Sequence, residues 1–226
     1  MENNNQNTTP NPSPAVIKRL PRYYRYLREL ITQGKMRISS GELSAMMNVT
    51  ASQIRQDLNC FGGFGQQGYG YNVKYLHGKI GELLGTTEGY RAVIIGSGNL
   101  GRALAATHMF DRRGVSRVAM FDTNQALVGT EIYGIPVYHV DTLGSFCLEN
   151  RIDIAVLTVP KEAAKSVTDV LIRSGIKGIW NFANMELTVE DENVVVENIH
   201  LGDSLMTLCY EVKNRAAQAE GGEEEA

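Results

Sequence analysis

The sequence has few of the residues that would build a secreted, metal-dependent or membrane-spanning protein. Its 226 residues include six prolines, four histidines, one tryptophan and three scattered cysteines, namely Cys60, Cys147 and Cys209. An odd number of cysteines without metal-ligand spacing disfavours a disulfide framework and predicts buried or inert thiols. No apolar run approaches the length of a membrane span, and no signal peptide opens the chain. These absences predict a protein of the reducing cytoplasm with no bound metal.

Charge is distributed unevenly along the chain. Residues 15–85 carry ten Lys and Arg against four Asp and Glu, a net charge of +6, whereas residues 86–226 carry a net charge of −8. A basic half joined to an acidic half suggests that only the basic half meets a polyanion. The two ends are of low complexity: residues 1–14 predict a disordered leader, and residues 216–226 predict a solvated acidic tail.

The basic half has the pattern of a winged helix-turn-helix domain, predicted over residues 15–85. Two capping-box sequences, Ser39-Ser-Gly-Glu42 and Thr50-Ala-Ser-Gln53, each open a short helix. The predicted elements are helices over 15–33, 40–47, 50–59 and 73–84, with a glycine-rich hairpin over 61–73 as the wing.

The acidic half alternates strands with helices, which predicts an α/β fold with a doubly wound, Rossmann-like parallel sheet over residues 86–200. The predicted strands are 92–95, 117–121, 135–138, 152–160, 176–182 and 194–199, and the predicted helices are 99–109, 141–149 and 161–174. A last helix, predicted over residues 201–215, has leucines at helical spacing. It packs either on its own sheet or on a second subunit, in which case the chain is a homodimer.

A dinucleotide fingerprint follows the first strand of this sheet. The apolar run Val93–Ile95 leads into Gly96-Ser97-Gly98-Asn99-Leu100-Gly101, and the next predicted strand ends at Asp122. The glycines of such a motif allow a tight turn, a close approach of a pyrophosphate and close helix packing, while the acid accepts hydrogen bonds from the ribose. Because no Lys or Arg follows Asp122 in the next three residues, the site is predicted to favour NAD(H) over NADP(H).

The predicted topology adds further cofactor-binding residues. Ligands of doubly wound sheets lie beyond the carboxyl ends of the strands. The additional candidates are Thr158, Val159, Pro160, Asn181, Phe182 and Ala183. A second match to the glycine pattern, over residues 63–68, has no buried strand before it and no helix after it, so it is interpreted as part of the hairpin.

The helix over 50–59 is the predicted DNA-recognition helix. Its apolar residues face the core, which turns the polar ones outward, where Arg can bind guanine or phosphate and Gln can pair with adenine. The predicted DNA-binding residues are Ser52, Gln53, Arg55, Gln56, Asn59, the wing-tip residues Gln66 and Gln67, and Arg19 of the first helix. Winged helices also make protein–protein contacts, but the net charge of +6 favours DNA.

Two other functions fit parts of the sequence. A small NAD-dependent oxidoreductase would need a general acid or base and a substrate domain, yet no Tyr-x-x-x-Lys pair or comparable dyad is present. His77 and His139 are predicted to be solvated, while His108 and His200 could approach the crevice. The second alternative is a CoA- or nucleotide-binding interaction module that does not bind DNA.

Several motifs occur in a fixed order across both halves. They include Arg19-Leu-Pro-x-Tyr-x-Arg25, Ile54-Arg55-x-Asp57-Leu58, Gly96-x-Gly-Asn-Leu-Gly-Arg102, Leu157-Thr-Val-Pro160 and Asn181-Phe-Ala183. On these motifs, residues 15–212 resemble the Rex family of redox-sensing transcriptional repressors. The resemblance implies a homodimer with exchanged C-terminal helices, which binds a palindromic operator and releases it when NADH displaces NAD⁺.

The sequence departs from the family pattern at two positions that would read DNA. The family commonly has a basic residue where this chain has Gln56, and another where it has Gln67. Because Gln pairs with adenine where Lys or Arg binds guanine, the operator is expected to be richer in A·T at that base pair.

A third departure concerns the redox switch. In the family, an Arg of the first helix, a Tyr near the cofactor and an Asp after the last strand are thought to couple redox state to domain orientation. The Arg matches Arg25, but Thr107 and His200 stand at the other two positions, so that Arg–Asp pair with its Tyr relay cannot form. The NADH response then uses other contacts, is weaker or becomes pH-dependent through His200. Alternatively, His200 is simply a hydrogen-bonded surface residue.

Overall fold

The protein is described by a computed structural model that covers residues 12–61, 65–66 and 69–223. The chain forms two compact units that divide between Glu88 and Gly89. Each unit has a hydrophobic core of its own.

The first unit combines short helices with a small antiparallel sheet. Its elements are α1 (Pro14–Thr32), β1 (Arg37–Ile38), α2 (Ser40–Met47), α3 (Ala51–Asn59), β2 (Gly65–Gln66), β3 (Gly70–Asn72) and α4 (Val73–Leu83). The Ser39 hydroxyl caps α2 by accepting the Glu42 N–H, and the Thr50 hydroxyl caps α3 by accepting the Gln53 N–H. These caps confirm the predicted helix-turn-helix, and the β2–β3 pair confirms the wing.

Strand β1 was not predicted, and it explains why residue 70 is a glycine. The strand pairs with β3, so that Ile38 lies opposite Tyr71. Gly70 has a positive φ of 66°, and a Cβ at this position would lie 2.6 Å from the Ile38 carbonyl oxygen. Two residues are too few to produce a periodic sequence signal, so this strand is defined only by its tertiary pairing.

His77 lies partly inside the first unit, which corrects the prediction that it is solvated. Its ring stacks on Tyr24 of α1, with centroids 4.1 Å apart and 17° between the ring planes. Its Nε2 atom is buried and has no hydrogen-bond partner among the described residues. Burial, with a smaller contribution from the charge of Arg28, lowers the pKa of His77 below its ordinary value of 6.5.

We expect the first unit to lose stability as the pH falls below about 6.5. His77 takes up a proton near that pH in the unfolded chain but only at lower pH in the folded unit, so acid favours unfolding. Above that pH its contribution is fully present. Urea midpoints measured between about pH 7.5 and 5.5 test this, and His77→Phe, which keeps a stacked ring, should flatten the decline.

The matched control is His108→Asn, because the His108 side chain is 80% exposed. This variant should decline with pH as the wild type does. A His77→Phe variant whose midpoint falls as steeply as that of the wild type would show that the decline arises elsewhere.

The second unit is a doubly wound sheet with helices on both faces. Its elements are β4 (Tyr90–Ile95), α5 (Asn99–Ala106), β5 (Val115–Asp122), β6 (Glu131–Ile132), β7 (Ile135–His139), α6 (Leu143–Asn150), β8 (Ile154–Leu157), α7 (Lys161–Arg173), β9 (Gly178–Asn181), β10 (Val195–Asn198) and α8 (Leu201–Glu223). The strand order is β10-β9-β8-β4-β5-β7-β6, and every pairing is parallel except that of β6 with β7. The predicted parallel sheet is confirmed, and β6 is an addition.

The two faces of this sheet are covered differently. Apolar residues of α6 and α7, such as Cys147 and Leu171, pack with Ile95 and Phe121 on one face. On the other face, Ala105 of α5 joins a smaller cluster. Burial raises the pKa of the Cys147 thiol to about 11, so this thiol is inert, as predicted, whereas Cys209 lies exposed on α8.

Two helix ends differ from the prediction. Helix α5 ends at Ala106, three residues early, because Thr107 turns to extended backbone and Arg117 of β5 donates to the carbonyl oxygens of Ala105 and Thr107. Helix α8 continues to Glu223 and so includes most of the segment predicted as an acidic tail. Within the described ranges, no helix is long and apolar enough to cross a membrane, and no cluster of three or more His, Cys, Asp or Glu could hold a metal.

Candidate functional site

A cleft of about 930 Å³ opens at the carboxyl ends of the strands of the second unit. It lies where β4, β5 and β8 end, which is the position expected for a ligand of a doubly wound sheet. The predicted residues that line it are Gly96, Gly98, Asp122, Thr158, Val159 and Pro160.

The three glycines of the fingerprint meet different constraints. Gly96 has a positive φ of 98°, and a Cβ there would lie 2.6 Å from the carbonyl oxygen of Thr158. A Cβ on Gly101 would overlap the carbonyl oxygen of Gly96. Because glycine has no Cβ, α5 can pack this closely on the loop. A Cβ on Gly98, in contrast, would have no atom within 4 Å. The fold itself therefore requires Gly96 and Gly101, while the space beside Gly98 is left to a ligand.

The loop between these glycines is held from both sides. The Ser97 N–H donates to Asp122 Oδ2 at 2.6 Å, and Arg102 Nε donates to the Ser97 carbonyl oxygen at 2.9 Å. The N–H of Asn124 donates to the other Asp122 oxygen at 2.9 Å. An ionised carboxylate has about four acceptor sites, so Asp122 can still accept hydrogen bonds from a ribose.

These residues fit a dinucleotide. Ser97 Oγ is buried and has no hydrogen-bond partner within the described residues, so it can donate to a phosphate oxygen. Asn99 and Leu100 occupy the first turn of α5, whose N–H groups lack partners within the helix and favour an anion. The open space beside Gly98 lets a pyrophosphate approach the backbone.

The segment Asn181–Ala183 does not line the cleft, which corrects the prediction for the Asn181 side chain. That side chain is fully buried. Its Nδ2 donates to the Met185 carbonyl oxygen and to Asn198 Oδ1, and its Oδ1 accepts the Ala183 N–H. Asn181 therefore holds the loop after β9, because a buried amide binds the nearest unpaired backbone groups. A cofactor contact by Phe182 or Ala183 stays a prediction.

Helix α3 presents part of the predicted DNA-binding surface. Ser52, Arg55, Gln56 and Asn59 are exposed on it. Arg55 Nη1 donates to the Ser40 hydroxyl at 3.0 Å, which ties α3 to the start of α2. Gln66 contributes its backbone to β2, while its side chain and the whole of Gln67 lie outside the described residues.

Two predicted DNA-binding residues instead bind Asp57. This aspartate is fully buried. Arg19 Nε and Nη2 donate to its two oxygens at 2.6 and 2.7 Å, Tyr23 Oη donates at 2.9 Å, and Gln53 Nε2 donates at 2.8 Å. The structure thus places Arg19 and Gln53 in a network that joins α1 to α3. Direct contact of either residue with DNA stays a prediction.

The Asp57 network is held together by charge. Burial alone would raise the pKa of Asp57, but the hydrogen bonds from Arg19, Gln53 and Tyr23 outweigh it, and the pKa falls below 3.8. The sequence analysis did not predict this network. Asp57 nevertheless follows Ile54 by three residues, which puts it on the buried face of α3 with Ile54 and Leu58.

The three predicted switch residues make separate contacts. Arg25 is exposed, and its guanidinium lies 5.4 Å from the ring of Tyr26. Thr107 Oγ1 donates to the Leu104 carbonyl oxygen. His200 Nε2 lies 2.9 Å from Glu186 Oε2. His200 is therefore a hydrogen-bonded residue, as one of the sequence alternatives stated, and the switching role of all three stays a prediction.

Comparison with known proteins assigns the chain to a family. A model of the CoA-binding domain matches residues 87–185, and a model of a putative DNA-binding protein N-terminus matches residues 12–59. The redox-sensing transcriptional repressor Rex of Clostridium botulinum (strain Alaska E43 / Type E3) is 52% identical over 202 residues, which is 89% of this chain and 96% of the relative. The protein of the same name from Clostridium tetani is 52% identical over 88% of this chain and 94% of its own length. The chain belongs to the Rex family.

Solved structures of Rex-family proteins match both units. RSP in complex with β-NAD⁺ and operator DNA has a TM-score of 0.86 at 48% identity, covering 95% of this chain and 98% of RSP. RSP in complex with β-NADH has a TM-score of 0.84 at 46% identity, covering 92% of this chain and 97% of RSP. The predicted family and fold class are confirmed, while the exchange of C-terminal helices stays a prediction.

Proposed function

We propose that this protein is a repressor that binds operator DNA through its first unit and releases it when NADH displaces NAD⁺ from its second unit. The observation that carries the proposal is the union in one chain of an exposed recognition helix, α3, with a cleft that fits a dinucleotide. The relative RSP, crystallised with NAD⁺ and operator DNA and also with NADH, supports it. The relatives are named repressors, so the oxidoreductase alternative is not favoured. A repressor acts where DNA is, which agrees with the predicted cytoplasmic location.

The second unit binds the cofactor and distinguishes its two forms. The Ser97 hydroxyl and the first turn of α5 hold the pyrophosphate, and Asp122 binds the ribose. When bound, the nicotinamide supplies the redox signal, since its ring is charged in NAD⁺ and neutral in NADH. The free energy by which NADH weakens DNA binding, relative to NAD⁺, cannot exceed the difference between the two cofactors in their preference for one protein conformation over the other.

The first unit reads DNA with the exposed side chains of α3. Arg55 and Gln56 reach base edges in the major groove, and the net charge of +6 over residues 15–85 attracts the phosphate backbone. Gln56, at a position that is commonly basic in the family, favours adenine there. The operator is therefore a palindrome richer in A·T at that base pair.

The homodimer is supported by two apolar surfaces of the second unit. Within residues 201–215, helix α8 exposes six large apolar side chains, those of Leu201, Leu205, Met206, Leu208, Tyr210 and Val212. A groove of about 530 Å³ on the sheet is lined mainly by apolar residues such as Phe110, Ile179 and Trp180. Large exposed apolar patches mark interaction sites. We infer that α8 packs on a second copy, which also sets two recognition helices on one palindrome.

A DNA-binding titration tests this function. The full chain is added to a palindromic A·T-rich operator selected from random sequence, and fluorescence anisotropy is followed with NADH and NAD⁺ separately. We expect two chains per operator, an affinity that falls with salt, and release by NADH alone. Specific binding that neither nucleotide changes would contradict the switch, and absence of specific binding would return the oxidoreductase or interaction-module alternatives.

A further inference from the structure

A continuous series of hydrogen bonds runs from the end of β9 to the start of α8. Asn181 Nδ2 donates to Asn198 Oδ1 at 2.7 Å, and Asn198 Nδ2 donates to Glu186 Oε1 at 3.1 Å. The other oxygen of Glu186 lies 2.9 Å from His200 Nε2. Asn181, Asn198, Glu186 and His200 are called the β9–α8 relay below.

The relay begins next to the dinucleotide cleft. Asn181 pairs with Leu157 across the β8–β9 ladder, and the Phe182 N–H donates to the Leu157 carbonyl oxygen at 2.9 Å. The next residue in the chain, Thr158, lines the cleft, and its hydroxyl donates to the carbonyl oxygens of Ile95 and Gly96. Hydrogen bonds of Thr158 and Leu157 therefore link the glycine loop to the end of β9.

The relay ends at the first turn of α8. His200 precedes the helix, and its carbonyl oxygen accepts the N–H of Asp203 at 3.1 Å. The side chain of His200 is 27% exposed and that of Glu186 is 68% exposed, so water reaches the pair. Glu186 thus holds the residue from which the exposed apolar helix departs.

We propose that Glu186 is a positioning residue that, through His200, links the state of the dinucleotide cleft to the orientation of α8. The inference rests on the proposed function, because it takes NADH to be the signal and α8 to be the element that responds. The hydrogen bond between Glu186 and His200 ties the loop before β10 to the residue from which α8 departs. Within the described part of the chain, Glu186 is the acidic side chain that lies within 4.0 Å of His200.

The test separates cofactor binding from the response to it. Isothermal titration calorimetry with NADH measures binding, since Trp180, the one tryptophan of the sequence, lines the apolar groove and not the cleft. Operator anisotropy measures release in Glu186→Gln, His200→Asn and the double variant. We expect each single variant to shift the NADH concentration for half-release by about threefold to fivefold, the size of one hydrogen bond. The double variant should shift it no further.

Glu192→Gln is the matched control, because Glu192 is an exposed acid of the same loop and its removal changes the net charge equally. Single variants that match Glu192→Gln, or that weaken NADH binding as much as release, would overturn the proposal. A second measurement does not need DNA: NADH should change the hydrogen exchange of residues 201–205 in the wild type but not in Glu186→Gln. If the wild type shows that change and yet keeps its operator, the proposed function fails while the relay stands. An identical change in Glu186→Gln would overturn the relay.

Discussion

Replacing Gly98 with alanine should weaken NADH binding strongly while leaving the fold intact. Gly98 lines the cleft and has an ordinary φ of −72°, and an added Cβ would have no protein atom within 4 Å. The methyl group would therefore meet only a ligand that approaches the backbone. An overpacked methyl costs about 1–3 kcal/mol, so we expect an affinity loss of roughly 5- to 150-fold by calorimetric titration with NADH.

The neighbouring variant Gly101→Ala should behave differently. Its Cβ would overlap the Gly96 carbonyl oxygen and lie 2.9 Å from Thr158 Oγ1, so α5 must move away from the sheet. This variant should lose thermal stability as well as affinity, whereas Gly98→Ala should melt as the wild type does. Gly78→Ala is the control, because Gly78 lies in a helix of the first unit with no atom within 4 Å of the added Cβ. Unchanged NADH affinity in Gly98→Ala would show that the pyrophosphate lies elsewhere.

The parts of the fold that could be predicted are those determined by residues close together in the sequence. The caps at Ser39 and Thr50 mark two helix starts, because each hydroxyl accepts the backbone N–H of the residue three positions later in the chain. The strand before Gly96 and the acid at Asp122 are recognisable because their spacing is set by a single strand–turn–helix unit. Such signals need no knowledge of distant residues.

The parts that could not be predicted depend on contacts between distant residues. Arg19 looks like a free cation on α1, but its partner Asp57 lies 38 residues away. Asn181 follows a strand at the expected edge of the sheet, yet its amide turns into the fold toward Asn198. No local sequence pattern marks Glu186, because its partner His200 lies 14 residues later in the chain. In each case a distant hydrogen-bond partner determines what the polar side chain does, and no local sequence pattern identifies that partner.

Removing the carboxylate of Asp57 should destabilise the first unit more than any surface change. Asp57→Asn keeps the shape of the side chain but leaves the Arg19 guanidinium and the Tyr23 hydroxyl facing a neutral amide. The Arg19 side chain is 26% exposed, so water can solvate its charge, but the charge-assisted hydrogen bonds to Asp57 are lost, at a cost of about 1–3 kcal/mol. That is a large fraction of the stability of a small domain, so we expect α3 to lose its place and operator binding to fail.

The control for this variant is Glu42→Gln. Glu42 is an exposed acid whose pKa is lowered to about 2, chiefly by its hydrogen bond with Lys35. Because water can replace Lys35 at that position, we expect little loss of stability by urea unfolding. A loss as large as that of Asp57→Asn would show that charge, and not burial, determines the effect.

Acid should lower the stability of the first unit of the wild-type protein through protonation of Asp57. Because the pKa of Asp57 is lower in the folded unit than in the unfolded chain, its contribution is fully present above about pH 4 and is lost as the pH falls through the folded value. The Asp57→Asn variant should lack this part of the acid transition. An acid transition of equal steepness in the variant would assign it to other carboxylates.

A double replacement decides whether the unpaired charge is the cause. Arg19→Met alone leaves the fully buried Asp57 carboxylate without its cation, so it should be more damaging than Asp57→Asn, by an amount that brings the cost to about 3–5 kcal/mol. Arg19→Met combined with Asp57→Leu removes both charges and fills the space with apolar atoms, which often restores stability or increases it. If the double variant regains stability and operator affinity together, packing alone can place α3. If it regains stability but binds the operator weakly, the network of Asp57 with Arg19, Tyr23 and Gln53 fixes the orientation of α3 on DNA.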